Sequence, residues 1–233
     1  MRILTIIPAR GGSKGIKLKN LVKINGKPLV AYSIEHSLAS KLINRTIVST
    51  DNEEIAKVSE EFGAEIPIFR TKELAGDHIL DLPVFEHMLT YLKKEENYEP
   101  DIVVHLRPTC PYRKPQWIDS VINLLIENVS ADSVRSVSEP SQHPYRVFEI
   151  KNKYLHPLMN ERHPEPYLLR RQDLPKMYYY NCVIDVTKPN TIFNKKSMTG
   201  DKMLPYIMRS EDSIDIDTPM DLEFAKFFLK GSL

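Results

Sequence analysis

Between residues 1 and 140 the chain alternates short apolar runs with amphipathic stretches, and few architectures accept that rhythm. Residues 3–7 form a continuous apolar-rich run, the mark of a strand covered on both faces. Further strands are predicted at 46–49, 66–69, 101–106 and 132–137, the one at 66–69 weakened by Pro67. Helices are predicted between them at 28–39, 52–62, 84–95 and 115–128. Asp51 followed by Glu54 reads as a capping box for the second helix, and Pro115 suits the first turn of the fourth. Strands and helices in this order predict an α/β fold with a mostly parallel sheet and helices on both faces.

The rhythm breaks at Pro140. Residues 145–150 and 154–158 flank Lys151-Asn152-Lys153 as in a β-hairpin, within the most proline-rich part of the chain. Residues 140–175 therefore read as an inserted arm, which either covers a site, forms a dimer contact or is a plain surface excursion. Strands are expected again at 179–186, 204–208 and 214–217. A final helix is expected at 221–229, with Thr218 as N-cap, Pro219 as first residue and Leu222, Ala225, Phe228 and Leu229 as its buried stripe. The 233 residues suit a single domain, 1–233, carrying this arm.

A net charge of +1 gives no global attraction to nucleic acid or to an anionic membrane, so any anion site has to be local. No apolar run reaches the length of a membrane span, and the N-terminal apolar stretch is too short for a signal peptide. Two cysteines, Cys110 and Cys182, make neither a disulfide framework nor a zinc site. A cytoplasmic location is expected.

The local anion site follows the first strand. Pro8-Ala9-Arg10-Gly11-Gly12-Ser13-Lys14-Gly15-Ile16-Lys17-Leu18-Lys19-Asn20 holds three of the eight glycines and four cations. In an open parallel sheet ligands bind outside the carboxyl ends of the strands, where this loop begins. Glycine lets backbone N–H groups approach an anion, and the cations suit a triphosphate. Neither G-x-x-x-x-G-K-[ST] nor G-x-G-x-x-G is present, which disfavours a P-loop or dinucleotide site. A flexible basic loop is the alternative.

This segment resembles the signature loop of the acylneuraminate cytidylyltransferases, the CMP-sialic acid synthetase family. The resemblance continues through Gly26-Lys27-Pro28-Leu29, Val48-Ser49-Thr50-Asp51, Arg70 with Glu73-Leu74-Ala75, Pro108-Thr109-Cys110-Pro111, Arg171-Gln172-Asp173-Leu174-Pro175, Asn181 and Ile214-Asp215-Ile216-Asp217-Thr218. It implies a three-layer Rossmann-like nucleotidyltransferase fold with a small β-containing dimerisation arm. It implies an enzyme joining CTP to a nine-carbon keto-sugar acid, giving a CMP-sugar and pyrophosphate, with a magnesium requirement. It also implies a homodimer whose arms reach the partner's site, and no nucleic-acid or membrane partner is expected.

Asp215 and Asp217 have i, i+2 spacing, so on an extended strand both carboxylates face one way and Ile216 faces the core. Such a pair suits Mg²⁺, and the matching family positions carry the metal. The alternative is that they merely approach the positive end of the last helix. In the mechanism expected, Arg10 and Lys19 neutralise phosphate charge, Asp217 acts through the metal, and Gly11, Gly12, Ser13 and Asn20 orient the triphosphate. The resemblance puts Arg70 with the nucleotide, Arg146 and Arg171 on the sugar from the arm, and Asn181 near the sugar or in a buried structural role.

Two positions depart from the family. Arg107 stands where a sugar-facing glutamine is usual, so either the sugar differs or Arg107 pairs with a protein carboxylate. Asp81 stands where a small hydroxyl residue is usual; it either accepts from the cytosine amino group or caps the following helix. His105 reads as a core residue, and Cys110 as open to alkylation without a catalytic part. An eight-carbon acid, a neutral sugar phosphate and an inactive nucleotide-binding homologue are the competing readings.

Overall fold

A computed structural model describes residues 1–231 of the chain. Strand β1 (Ile3–Pro8) leads through the glycine-rich loop to a short ribbon, β2 (Lys23–Ile24) and β3 (Lys27–Pro28). Next come α1 (Leu29–Leu38), β4 (Arg45–Ser49), α2 (Glu53–Glu61), α3 (Asp81–Glu96), β5 (Ile102–His105), α4 (Pro115–Glu127) and β6 (Ser133–Ser138). The arm carries the hairpin β7 (Phe148–Lys151) and β8 (Tyr154–Pro157). The chain then returns as β9 (Tyr179–Thr187), α5 (Pro189–Phe193), β10 (Met203–Met208) and α6 (Pro219–Gly231).

Six strands form one sheet in the order β10-β6-β9-β5-β1-β4, and only β9 runs antiparallel to its neighbours. Strand β1 pairs with β4 on one side and β5 on the other. The winding reverses there, which opens a crevice at the carboxyl ends of β1 and β5. Helices α1, α2 and α4 cover one face, where Ile7, Val48, Val104 and Val134 pack on Ile34, Ile55, Ile118 and Val121. On the other face α3 packs Phe85, Met88 and Leu92 against Leu4, Ile47 and Val103. These layers explain the unbroken apolar runs of β1 and β5, buried from both sides.

A third apolar cluster ties the two ends of the sequence together. Ile24 and Leu29, just past the glycine-rich loop, pack against Ile214, Ile216, Ala225 and Leu229. Helix α6 starts on a reciprocal cap, with the Asp221 carboxylate accepting from the Thr218 N–H at 2.7 Å and the Thr218 hydroxyl accepting from the Asp221 N–H at 3.3 Å.

The structure corrects three local expectations. Residues 66–69 form no strand: only an isolated parallel bridge, Ile47 to Glu65, extends the edge, because Pro67 lacks a ladder donor. Residues 214–217 form no strand and lie outside the sheet, with Ile216 donating to the Thr109 carbonyl at 2.9 Å. Asn52 rather than Asp51 caps α2, accepting from the Ile55 N–H at 3.0 Å. Among the described residues no helix is long and apolar enough to cross a membrane.

Candidate active site

The crevice beside β1 and β5 holds a cleft of about 360 Å³. Arg10, Ser13, Lys14, Gly15, Lys19 and Asn20 line it from the glycine-rich loop, and Arg107, Pro108 and Thr109 from the loop after β5. Arg70, Asp81 and Asp217 supply the other charged side chains of the lining. Five cationic side chains thus face two carboxylates in a chain that is otherwise near neutral. A larger groove of about 650 Å³ between α3 and α5 lies at the opposite end of the strands, away from this charge.

The N-terminal loop and the C-terminal aspartates meet. Lys19 Nζ donates to the Ile216 carbonyl at 2.6 Å and to Asp217 Oδ1 at 3.1 Å. A Cβ at Gly15 would lie 2.5 Å from the Asp217 carbonyl oxygen, so only glycine permits this approach. Asp215 sits one step deeper, its Oδ1 3.7 Å from the Cys110 sulfur. Asn20, buried, donates to the Arg10 carbonyl at 2.9 Å and fixes the loop. Not every loop amide is offered to a ligand, because the Gly11 N–H already donates to Asp51 at 2.8 Å.

Asp77 links two loop cations, at 2.9 Å from Arg10 and 2.8 Å from Lys14. No motif singles it out, so sequence reasoning missed it. The Lys14 and Arg10 hydrogen bonds hold its carboxyl below the usual range. Arg70 is buried against Ser49, donating to its carbonyl at 2.8 Å and its hydroxyl at 3.2 Å. Burial, with Arg10 nearby, lowers its pKa to about 10.

Arg107 does pair with protein carboxylates. It donates to Asp81 at 2.8 Å, to the fully buried Asp185 at 2.7 Å and to the Tyr180 hydroxyl at 2.7 Å. Arg135 reaches the same Asp185 oxygen at 2.6 Å, and the Tyr180 hydroxyl donates to it as well. Burial opposes the Arg107 charge, but Asp185, Tyr180 and Asp81 outweigh it and raise its pKa. Asp81 is not a helix cap, since Leu80 holds that position. His105 is buried against Phe85, with ring centroids 4.8 Å apart, and burial beside Arg107, Arg135 and Arg113 keeps it neutral.

Arg146 and Arg171 come together, but in a separate hollow of about 340 Å³ in and beside the arm that shares no lining residue with the cleft. The Asn181 amide is buried and spent on Ser136 at 2.6 Å and Ser138 at 2.8 Å, as a structural asparagine would be. Cys110 is not open to alkylation: it is fully buried, and burial pushes its thiol up to about 12.

Among the described residues no three His, Cys, Asp or Glu side chains converge on a metal position. Asp215 and Asp217 supply two carboxylates beside a cationic cleft. Two hard oxygen donors are enough for a Mg²⁺-like cation, which keeps its other positions for water and phosphate.

Residues 4–226 match the family profile described as cytidylyltransferase. The chain belongs to the cytidylyltransferase family. This cytidylyltransferase is 35% identical over 230 residues to the CMP-N,N'-diacetyllegionaminic acid synthase of Legionella pneumophila, covering 95% of this chain and 93% of that protein. It is 32% identical over 238 residues to the pseudaminic acid cytidylyltransferase of Campylobacter jejuni, covering 99% and 97%. Its fold is that of a CMP:2-keto-3-deoxy-manno-octonic acid synthetase solved with CTP, at a TM-score of 0.75 and 16% identity over the whole of both chains. The expected relationship to nonulosonate-activating enzymes agrees with these relatives, and the expected nucleotidyltransferase fold is the one observed.

Proposed function

We propose that this cytidylyltransferase moves the cytidylyl group of CTP onto the anomeric hydroxyl of a nonulosonic acid. The observation that carries the reading is the contact between the cationic loop and Asp217, through Lys19, at the crevice outside β1 and β5. The hydroxyl oxygen attacks the α-phosphorus in line. A new O–P bond forms, the bond to the bridging oxygen breaks, and pyrophosphate leaves with the electron pair while the hydroxyl proton passes to solvent. Arg10 and Lys19 oppose the charge gathering on the leaving group, and Ser13, Asn20 and the loop amide of Gly12 hold the triphosphate in register, while the Gly11 amide is spent on Asp51. Asp81 borders the cleft and reads the cytosine amino group. A divalent metal, Mg²⁺ in this reading, would be held by Asp215 and Asp217 and would screen phosphate charge.

The carboxylate of the acid calls for paired guanidinium donors. Arg146 and Arg171 provide them, and they lie in the arm rather than in the cleft. The arm also exposes Ile150, Tyr154, Leu155 and Leu158. These two facts favour a homodimer in which each arm completes the partner's site. The reading includes a cytoplasmic location.

Pyrophosphate release with CTP, a divalent metal and a panel of keto-sugar acids tests the assignment. Release is expected with nine-carbon acids and is expected to be weak with UTP or with an eight-carbon acid. No release with any nine-carbon acid would overturn it. Gly15→Ala adds a sharper expectation. Its Cβ would push the loop off the Asp217 carbonyl, and a displacement of about 1 Å costs on the order of 10²-fold. The kcat/KM for CTP is expected to fall at least about tenfold in the same assay.

A further inference from the structure

Arg10 and Lys14 both line the cleft, and one carboxylate that is not part of its lining holds them together. Asp77 divides its two oxygens between them: Oδ1 accepts from Arg10 Nη1 at 2.9 Å, and Oδ2 pairs with Lys14 Nζ at 2.8 Å. The same Nη1 donates to the Ala75 carbonyl at 3.2 Å. Lys19, four and more residues further along the loop, is held separately by the Ile216 carbonyl and Asp217. The cations of the loop are thus gripped by carboxylates from two distant parts of the chain.

Two features set the Asp77 contact apart from an ordinary surface ion pair. The first is its place. Residues 71–80 join Arg70 to Asp81, which both line the cleft. Among the described residues, the hydrogen bonds and ion pairs that this segment makes beyond its own turns and helix α3 run to Arg10 and Lys14. Asp77 therefore ties one wall of the cleft to the glycine-rich loop. The second feature is what it leaves over. Arg10 spends Nη1 on this anchor, while Nη2 and Nε make no hydrogen bond among the described residues. The rest of its fork stays available to a phosphate in the cleft.

Lys14 needs such an anchor more than Arg10 does. Its side chain is 71% exposed, and ordering a long exposed lysine during the reaction costs rotamer entropy. The Asp77 contact orders it beforehand. That contact also has a cost, because a negative charge beside two cations weakens their pull on any anion. A group that fixes geometry while weakening attraction acts on kcat and not on binding.

We propose that Asp77 is a positioning residue for the transfer, presetting Arg10 and Lys14 as one paired clamp on the departing pyrophosphate. Lys14 then joins Arg10 and Lys19 in opposing the charge of the leaving group. The inference rests on the cytidylyl-transfer reading and deepens it at the leaving-group end.

The test is steady-state pyrophosphate release with CTP and a nine-carbon keto-sugar acid. Asp77→Asn keeps the side-chain shape, but its single amide oxygen can accept from only one of the two cations. Its kcat is expected to fall at least about tenfold, as misplaced charge-bearing groups cost that or more. Its KM for CTP is expected to stay level or fall, because a negative charge leaves the site. Asp77→Glu restores the carboxylate and is expected to recover most of the lost rate. Asp77 is exposed, so the urea midpoint of either variant is expected to stay where it is. Lys14→Met is expected to slow transfer by itself, and Asp77→Asn added to it is expected to cost less than in the wild type. An unchanged kcat in Asp77→Asn, a loss carried by a raised KM, an unaffected Lys14→Met or full additivity of the two substitutions would overturn the clamp while leaving cytidylyl transfer standing. A wild type inactive with every acid would overturn both readings.

Discussion

Asp217→Ala is expected to cut cytidylyl transfer by at least about 10²-fold while the protein stays folded, since deleting one pre-placed group at a charge-bearing transition state costs on that order. The side chain is 75% exposed and its only described ion pair is with Lys19. An exposed pair adds little to stability, so the urea midpoint is expected to move barely at all. The loss would therefore belong to chemistry and not to folding. Asp217→Asn separates two roles. The amide oxygen can still accept from Lys19, but it is a poor ligand for a hard cation. If the carboxylate serves the metal, the amide variant is as inactive as the alanine variant. If it serves only to hold Lys19, the amide variant keeps most of the wild-type rate. Activity within about tenfold of wild type in the alanine variant would reject the assignment, being far short of the loss expected for such a group.

The second large effect is on stability. Asp185→Asn removes the fully buried charge shared by Arg107 and Arg135. Breaking such a pair by removing one partner costs about 3 kcal/mol, because the remaining charges stay buried. Arg107 keeps Asp81 as a partner, whereas Arg135 has no other described carboxylate. For a chain of this size the loss corresponds to roughly 6–12 °C in melting temperature, read by calorimetry or by circular dichroism. A melting temperature within about 2 °C of wild type would show that the cluster is hydrated and not held in the low-dielectric interior assumed above.

Much of the fold was legible because its signals are local. Continuous apolar runs marked β1 and β5, proline marked the start of α4, and Thr218 with Pro219 marked the start of α6. What failed depended on distant partners. Residues 66–69 have strand-like composition but lack a complete ladder, and residues 214–217 are held by Thr109 and by apolar packing instead of by a neighbouring strand. Asp51 looked like a cap because of its spacing to Glu54, yet its carboxylate bonds to Gly11, 40 residues away.

The site shows the same division. The loop and the aspartate pair were visible as motifs, and their meeting through Lys19 and Gly15 is what the structure adds. Asp185, Arg135 and Tyr180 were missed. A signal for the first two did exist: an arginine in Ser133–Ser138 and an aspartate in Tyr179–Thr187 are charges inside buried strands, and such charges need each other. Only the antiparallel register of β9 on β6 shows which arginine meets which carboxylate.

The apolar cluster joining Ile24 and Leu29 to Ile214, Ile216 and Leu229 also governs when the two ends of the sequence come together at the cleft. A ribosome that has delivered the first two hundred residues has produced the cationic loop without Asp215 and Asp217. Helix α6 has to emerge and dock before Asp215 and Asp217 are held in place. An unfinished polypeptide therefore carries the cationic loop without the two aspartates that the finished chain sets beside it.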